Sequence, residues 1–180
     1  NCKLSTVNKK KMNIDILNPE QHAQLQSLIE GSSNIIITSH KSPDGDAIGA
    51  TLGWAEYLTS IGKEPTIIVP DQFPDFLAWL PNSQKIVRYD KHREKCDLLF
   101  KIADLIFCLD YNAPSRVDEM EQSLISSPAP RVLIDHHLKP EVPAVLTISC
   151  PEACSTCEMI FRIVWQMGGF ESQNAHFAIP

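Results

Sequence analysis

The chain has 180 residues, 43% of them hydrophobic, and a net charge of −6. That length suits one domain able to bury roughly two-thirds of the surface its unfolded chain exposes, and no basic run suited to gripping long nucleic acid by its phosphates follows the first dozen residues. No stretch approaches 18 consecutive apolar residues, which argues against a membrane span, and six cysteines in a chain of this size with no signal-peptide pattern read as free thiols in a reducing, cytoplasmic protein.

The opening NCKLSTVNKKK holds four lysines and little apolar content, so residues 1–13 are expected to form a flexible arm. Residues 14–180 are expected to form the folded domain. NPEQHAQLQSLIEGS reads as a helix opened by Asn18 or Pro19 and closed by Gly31. NIIITSH is a short β-branched strand. PDGDAIGATLGWAEYLTSIGK passes from a turn into a helix with Ile48, Leu52, Ala55 and Leu58 as its apolar stripe and Gly62 as its stop. EPTIIVP is a second strand, FPDFLAWLP a short helix or tight turn between prolines, and IVRYD a short edge strand. REKCDLLFKIA reads as a helix, DLIFCLD as a strand ending on Asp110, SRVDEMEQSLIS as helical, and RVLID and AVLTIS as strands. The last helix, STCEMIFRIVWQMGG, places Ile160, Ile163, Val164 and Met167 on one face, with Gly168 and Gly169 at its end.

Strands that are short apolar runs and alternate with helices predict an α/β fold, a mostly parallel sheet with helices on both faces. Such sheets place ligands beyond the carboxyl ends of their strands. His40, Asp110 and Asp135 fall at or just after strand ends, Asp44 and Asp46 on the loop after the first strand, and His136 and His137 directly after Asp135. Asp46 has a second reading as the cap of a helix beginning at Ala47, and His40 as a strand-end histidine bonded to backbone. Carboxylates crowded on one rim repel one another, and divalent cations supply the missing charge. Oxygen and imidazole ligands suit manganese, zinc or iron, and the number of candidates suggests two ions sharing one carboxylate. Gly45 is expected to make the sharp turn, with positive φ, and Gly49 and Gly53 to let the helix pack closely on the sheet. Neither GxGxxG nor GxxxxGK[ST] occurs, which removes the usual fingerprints of dinucleotide binding and P-loop hydrolysis.

HKSPDGDAIGA, the strand-end Asp of FCLDYN and the tandem Asp135-His136-His137 in LIDHHL resemble the first three motifs of the DHH phosphoesterases. The resemblance covers about residues 14 to 180 and is nearest the branch of oligoribonucleases that also act on 3'-phosphoadenosine 5'-phosphate. It implies a phosphoesterase dependent on two ions, Mn²⁺ foremost. His40, Asp44 and Asp110 would hold one ion, and Asp46, Asp110 and His136 the other, with Asp110 as the bridge. It also implies that His137 orients the phosphate and that Asp135 supports the histidines. Ser155, Thr156 and Glu158 match the family's helix start after the DHH strand. The implied partners are a short RNA or DNA oligonucleotide or a small phosphorylated nucleotide, with a homodimer as a further possibility. The family's fourth motif, which carries another metal-binding Asp, and its smaller Gly-rich substrate-binding domain have no counterpart in the sequence, so the expectation is an incomplete catalytic domain.

The implied reaction is hydrolysis with water as nucleophile; Ser39 and Ser42 lie near the site but lack a base motif. Two alternatives stand beside it: a hydrolase of pyrophosphate, polyphosphate or a cyclic dinucleotide on the same fold, and a non-catalytic nucleotide-binding module. Cys150, Cys154 and Cys157 have knuckle-like spacing, with His176 as a conceivable fourth ligand, but run straight into a helix. Trp54, Trp79 and Trp165 are scattered and read as core rather than as a base-stacking platform.

Overall fold

The structure, a computed structural model, describes residues 15–170. The expected arm at 1–13, and His176, lie outside the described residues. Six strands form one sheet: β1 (Ile35–Thr38), β2 (Thr66–Val69), β3 (Val87–Arg88), β4 (Leu105–Leu109), β5 (Arg131–Asp135) and β6 (Leu146–Ser149). Their order is β3-β2-β1-β4-β5-β6 and every pairing is parallel.

Alternation along the strands divides the core. Ile35, Ile37, Phe107, Leu109, Val132 and Ile134 face helices α1 (Pro19–Glu30), α2 (Gly45–Ser60) and α5 (Thr156–Gln166). Ile36, Ile68, Ile106, Cys108 and Leu133 face α3 (Tyr89–Ile102) and α4 (Glu121–Ser126). Burial on both faces explains why the strands read as unbroken apolar runs. At the β6 edge, the Gln21 and Gln24 side-chain amides of α1 donate to the carbonyls of Thr147 (3.2 Å) and Val145 (3.0 Å), which blocks further strand pairing. Asn18 caps α1 in a reciprocal pair with Gln21. No helix among the described residues is long and apolar enough to cross a membrane.

Several expectations need correction. The SRVDEMEQSLIS segment is a 3-10 run (Pro114–Met120) followed by the short α4, and α3 begins earlier than expected, at Tyr89, with a break in helical geometry at His92. Only Trp54 of the three tryptophans is core; Trp79 is 69% and Trp165 51% exposed. Trp165 packs loosely with Phe161 and Phe170, at ring-centre distances of 6.3 and 5.8 Å. Gly45 is the first residue of α2 and has no positive φ; that conformation falls on Ser42, at φ 52°.

Gly49 and Gly53 face α5, not the sheet. A Cβ on Gly49 would lie 2.7 Å from the Cys157 Sγ, whereas one on Gly53 would meet the Ile160 Cγ2 at an ordinary 3.7 Å. Gly49→Ala gains about 1 kcal/mol of helix propensity but overpacks the α2–α5 seam at a cost of about 1–3 kcal/mol. A net loss of about 1 kcal/mol is expected in urea unfolding. In a Cys157→Ala background, where the obstructing sulfur is gone, the same substitution should become neutral or stabilising. Destabilisation by the same amount in both backgrounds would show that the sulfur contact does not control the seam.

Candidate metal centre

The order of the sheet reverses between β1 and β4: the chain leaves β1 toward β2 and β3, then returns to build β4, β5 and β6 on the other side. A crevice opens at such a switch point because the flanking connections diverge to opposite sides. His40 follows β1 and Asp110 follows β4, so both stand at this crevice. The next strand, β5, ends on Asp135 and delivers His136 and His137 beside them.

Asp110 is central. It is only 2% exposed. Its Oδ2 lies 3.5 Å from the His40 Nε2, and its Oδ1 lies 3.7 Å from the His136 Nε2 and 3.9 Å from the His137 Nδ1. Thr156 Oγ1 donates to Oδ1 at 2.9 Å. The Asp110 backbone is left-handed, φ 65°, a conformation that Asp tolerates better than most residues and that turns the chain sharply at the strand end. Burial pushes the Asp110 carboxyl above its ordinary pKa, and the negative charge of Asp46 adds to this, against the hydrogen bonds from His40 and Thr156. A buried carboxylate held uphill in this way calls for positive charge.

His40 answers part of that demand. Its contact with Asp110 raises its pKa above 6.5; burial opposes the shift and the Lys41 carbonyl supports it. His40 Nδ1 lies 2.7 Å from that carbonyl, which fits a proton on Nδ1; Nε2 faces Asp110 and Asp44, bonding Asp110 when protonated and offering its lone pair to a metal ion when neutral. The backbone-bonded reading of His40 and the ligand reading are therefore both satisfied by one geometry.

Asp44, not Asp46, caps α2: its Oδ1 accepts from the N–H groups of Asp46 (2.9 Å) and Ala47 (3.0 Å), and it lies 3.9 Å from the His40 Nε2. Asp46 sits in the first turn of α2 and reaches across to α5. Its two oxygens accept from the N–H groups of Cys157 (2.7 Å) and Thr156 (2.8 Å). Burial disfavours the Asp46 charge, but these two hydrogen bonds, together with the Cys157 thiol and His136, hold its pKa below the ordinary value. Asp46 thus joins the second helix to the fifth while its Oδ2 stays 3.7 Å from the His136 Nε2.

Two compact sets of potential ligand atoms result. One is His40, Asp44 and Asp110; the other is Asp110, His136 and His137. Asp110 belongs to both. The second draws in His137 where Asp46 was expected, and Asp46, whose oxygens also face backbone donors of α5, stands 3.7 Å from the His136 Nε2 at its edge. Asp135 is fully buried; its Oδ1 is 2.7 Å from the His137 Nδ1, and its Oδ2 has no hydrogen-bond partner among the described residues. Burial of Asp110 and the donor set of imidazoles and carboxylates fit divalent ions.

Neither set contains a cysteine. The Cys157 thiol instead donates to the Asp46 carbonyl at 3.3 Å, and burial pushes its pKa strongly upward, so it is no thiolate ligand at neutral pH. Ser155 caps α5 through the Glu158 N–H, and Glu158 accepts from the Cys154 N–H at 2.8 Å. The Ser39 hydroxyl has no partner among the described residues, so no base activates it.

Residues 34–179 match the DHH family, N-terminal domain. The chain is 29% identical over 150 residues to the cyclic-di-AMP phosphodiesterase GdpP of Bacillus subtilis, covering 78% of this chain and 22% of that protein. It is 30% identical over 148 residues to the bifunctional oligoribonuclease and PAP phosphatase NrnA of Thermus thermophilus, covering 81% and 40%. A crystal structure of an exopolyphosphatase-related protein from Bacteroides fragilis superposes with a TM-score of 0.83 at 45% identity, covering 85% of this chain and 45% of the other. The chain therefore spans well under two thirds of the length of these relatives. With its strand order, its DHH tandem and its match over residues 34–179, the chain belongs to the DHH family.

Proposed function

We propose that the whole protein is a metal-dependent phosphoesterase acting on short oligonucleotides or small nucleotides such as 3'-phosphoadenosine 5'-phosphate, with residues 14–180 as its metal-bearing catalytic portion. The observation that carries this reading is one buried carboxylate, Asp110, shared by two sets of ligand atoms at the switch point. His40, Asp44 and Asp110 would hold one divalent ion. Asp110 and His136 would hold a second, completed by Asp46 or His137, and Mn²⁺ suits these donors. When bound, such a pair supplies a water of lowered pKa and positive charge facing the transferred phosphoryl group.

The chain's own groups do the rest. The Lys41 carbonyl fixes the ring of His40. Thr156 holds one oxygen of Asp110 and so sets the plane of the shared carboxylate. Asp135 holds the Nδ1 of His137 and leaves the other ring nitrogen turned away from it, on a side chain 41% exposed, where it can meet a substrate phosphate.

A second reading, hydrolysis of a cyclic dinucleotide, is favoured by the similarity to GdpP. The test uses the full-length protein with Mn²⁺ and compares a dinucleotide, 3'-phosphoadenosine 5'-phosphate, cyclic di-AMP, pyrophosphate and polyphosphate. The expected result is a kcat/KM for the first two about tenfold or more above the others, the scale that a few site contacts support. A preference for cyclic di-AMP would install the second reading, and no turnover of any of them would leave a binding module.

A further inference from the structure

The peptide between Lys41 and Ser42 is held at both edges. Its C=O lies 2.7 Å from the His40 Nδ1, and its N–H donates to the Asp71 Oδ1 at 2.7 Å. The C=O and N–H of a trans peptide point in opposite directions. The His40 ring and the Asp71 carboxylate therefore stand on opposite sides of one rigid plane. A carboxylate that bonds a ligating histidine directly fixes its ring orientation. Here one peptide is inserted between the two.

The backbone around this peptide is specialised for the arrangement. Ser42 has a positive φ of 52°, uncommon for a residue with a Cβ. In that conformation its hydroxyl also reaches Asp71, 3.4 Å from the second carboxylate oxygen. Strain of this kind persists where the surroundings hold it and collects at functional sites. The other side of the loop is pinned as well: the Lys41 N–H donates to the Arg116 carbonyl at 2.8 Å, and the Lys41 ammonium bonds Asp118. Asp71 lies in the connection after β2, and Arg116 and Asp118 in the connection after β4. These are the two strands that flank β1 in the sheet, so the loop carrying His40 is gripped from both neighbours.

We infer that Asp71 is a positioning residue for His40, acting through the Lys41–Ser42 peptide: carboxylate, peptide and imidazole form one hydrogen-bonded line that aims the Nε2 into the site. The inference rests on the metal-centre reading only for what His40 then does; the line of hydrogen bonds stands without it. Asp71 itself belongs to neither set of candidate ligands. Outer partners of a ligating histidine contribute about 10- to 100-fold to metal affinity. The lower end applies to Asp71, because water can replace its carboxylate at the exposed edge of the peptide.

Two readouts on the full-length protein test this. In calorimetry, Asp71→Ala should weaken Mn²⁺ binding about tenfold, and Asp71→Asn, which keeps an oxygen for the Ser42 N–H, should recover most of the loss. In the metal-free protein, the His40 Nδ1–H resonance, protected in the parent by the Lys41 carbonyl, should exchange faster with solvent in Asp71→Ala and return to the parent's rate in Asp71→Asn. A lower Tm in Asp71→Ala with Mn²⁺ affinity and the Nδ1–H signal both unchanged would make Asp71 a support of the loop alone and overturn the inference. An equal loss of affinity in Asp71→Asn with the Nδ1–H signal intact would assign the effect to charge at a distance and overturn it too. If the parent bound no Mn²⁺, a faster Nδ1–H exchange in Asp71→Ala would keep the line from Asp71 to His40 and reject the metal-centre reading instead.

Discussion

Asp110→Asn in the full-length protein should lower turnover about 10³-fold or more, since charge compensation at a shared metal site is worth several kcal/mol, while the fold stays intact. The structure supports the second half of that expectation as strongly as the first. Asn is at home in the left-handed conformation that Asp110 adopts, at φ 65°. Its amide oxygen can keep the hydrogen bond from Thr156 Oγ1, and its NH₂ can face the His40 Nε2, now 3.5 Å from a carboxylate oxygen. Removing a carboxylate whose pKa is raised by burial should leave the metal-free protein at least as stable at neutral pH. The variant should therefore show an unchanged or higher Tm without metal, bind fewer than two Mn²⁺ ions, and lack activity. Two bound ions with near-normal turnover would remove Asp110 from the shared position. Asp110→Ala is a poorer probe because it adds a cavity and forces a residue with no local hydrogen bond into positive φ. Asp46→Asn makes an instructive contrast. It leaves the His40, Asp44 and Asp110 set whole, but places an NH₂ group against one of the two backbone N–H donors of α5. It should cost stability with or without metal, and less activity than Asp110→Asn.

These two aspartates also show which parts of the molecule the sequence reveals. Asp110 is legible because an unbroken apolar run, LIFCL, must be a covered strand, and a polar residue at its end stands on the same rim as the ends of the other parallel strands. His40, Asp44 and the DHH tandem follow by the same reasoning. The order of the strands is not legible, since pairing between β1 and β4 joins segments about 70 residues apart and leaves no local pattern. Hence the crevice was expected somewhere on the rim, but the switch point was not. The role of Asp46 is hidden for a similar reason: its partners are 110 and 111 residues away, so the local rule suggests a cap on its own helix, a position that Asp44 fills. Gly49 faces Cys157 on α5 for the same non-local reason. Trp79 reads as core because hydrophobicity favours burial on average, yet it follows a 3-10 turn that buries only Leu77 and stays exposed itself.

Stripping divalent ions from the full-length protein should abolish hydrolysis of a short RNA, a loss of about 10³-fold or more, and Mn²⁺ should restore it. The pH dependence of binding gives a separate check that does not rely on turnover. His40 must lose its proton before its Nε2 can serve as a ligand, and its pKa is raised above 6.5 chiefly by Asp110. In the metal-free protein the raised pKa contributes stability that is fully present below 6.5 and is lost as the pH rises through the folded-state value. Metal binding has the opposite sign: proton competition at His40 fades over that same interval, so affinity strengthens, by at most about tenfold per pH unit for one proton. The difference in Tm between the Mn²⁺-loaded and metal-free protein should therefore widen as the pH rises from below 6.5 through the His40 pKa. His40→Gln should flatten this dependence as well as weaken binding, because it removes the titrating ring. Calorimetry in buffers of different ionisation enthalpy should show a proton released on Mn²⁺ binding below the His40 pKa, and none from that residue above it. A Tm difference that narrows over this interval would exclude His40 as a ligand, and full activity after verified removal of metal would exclude the metal-dependent reaction itself.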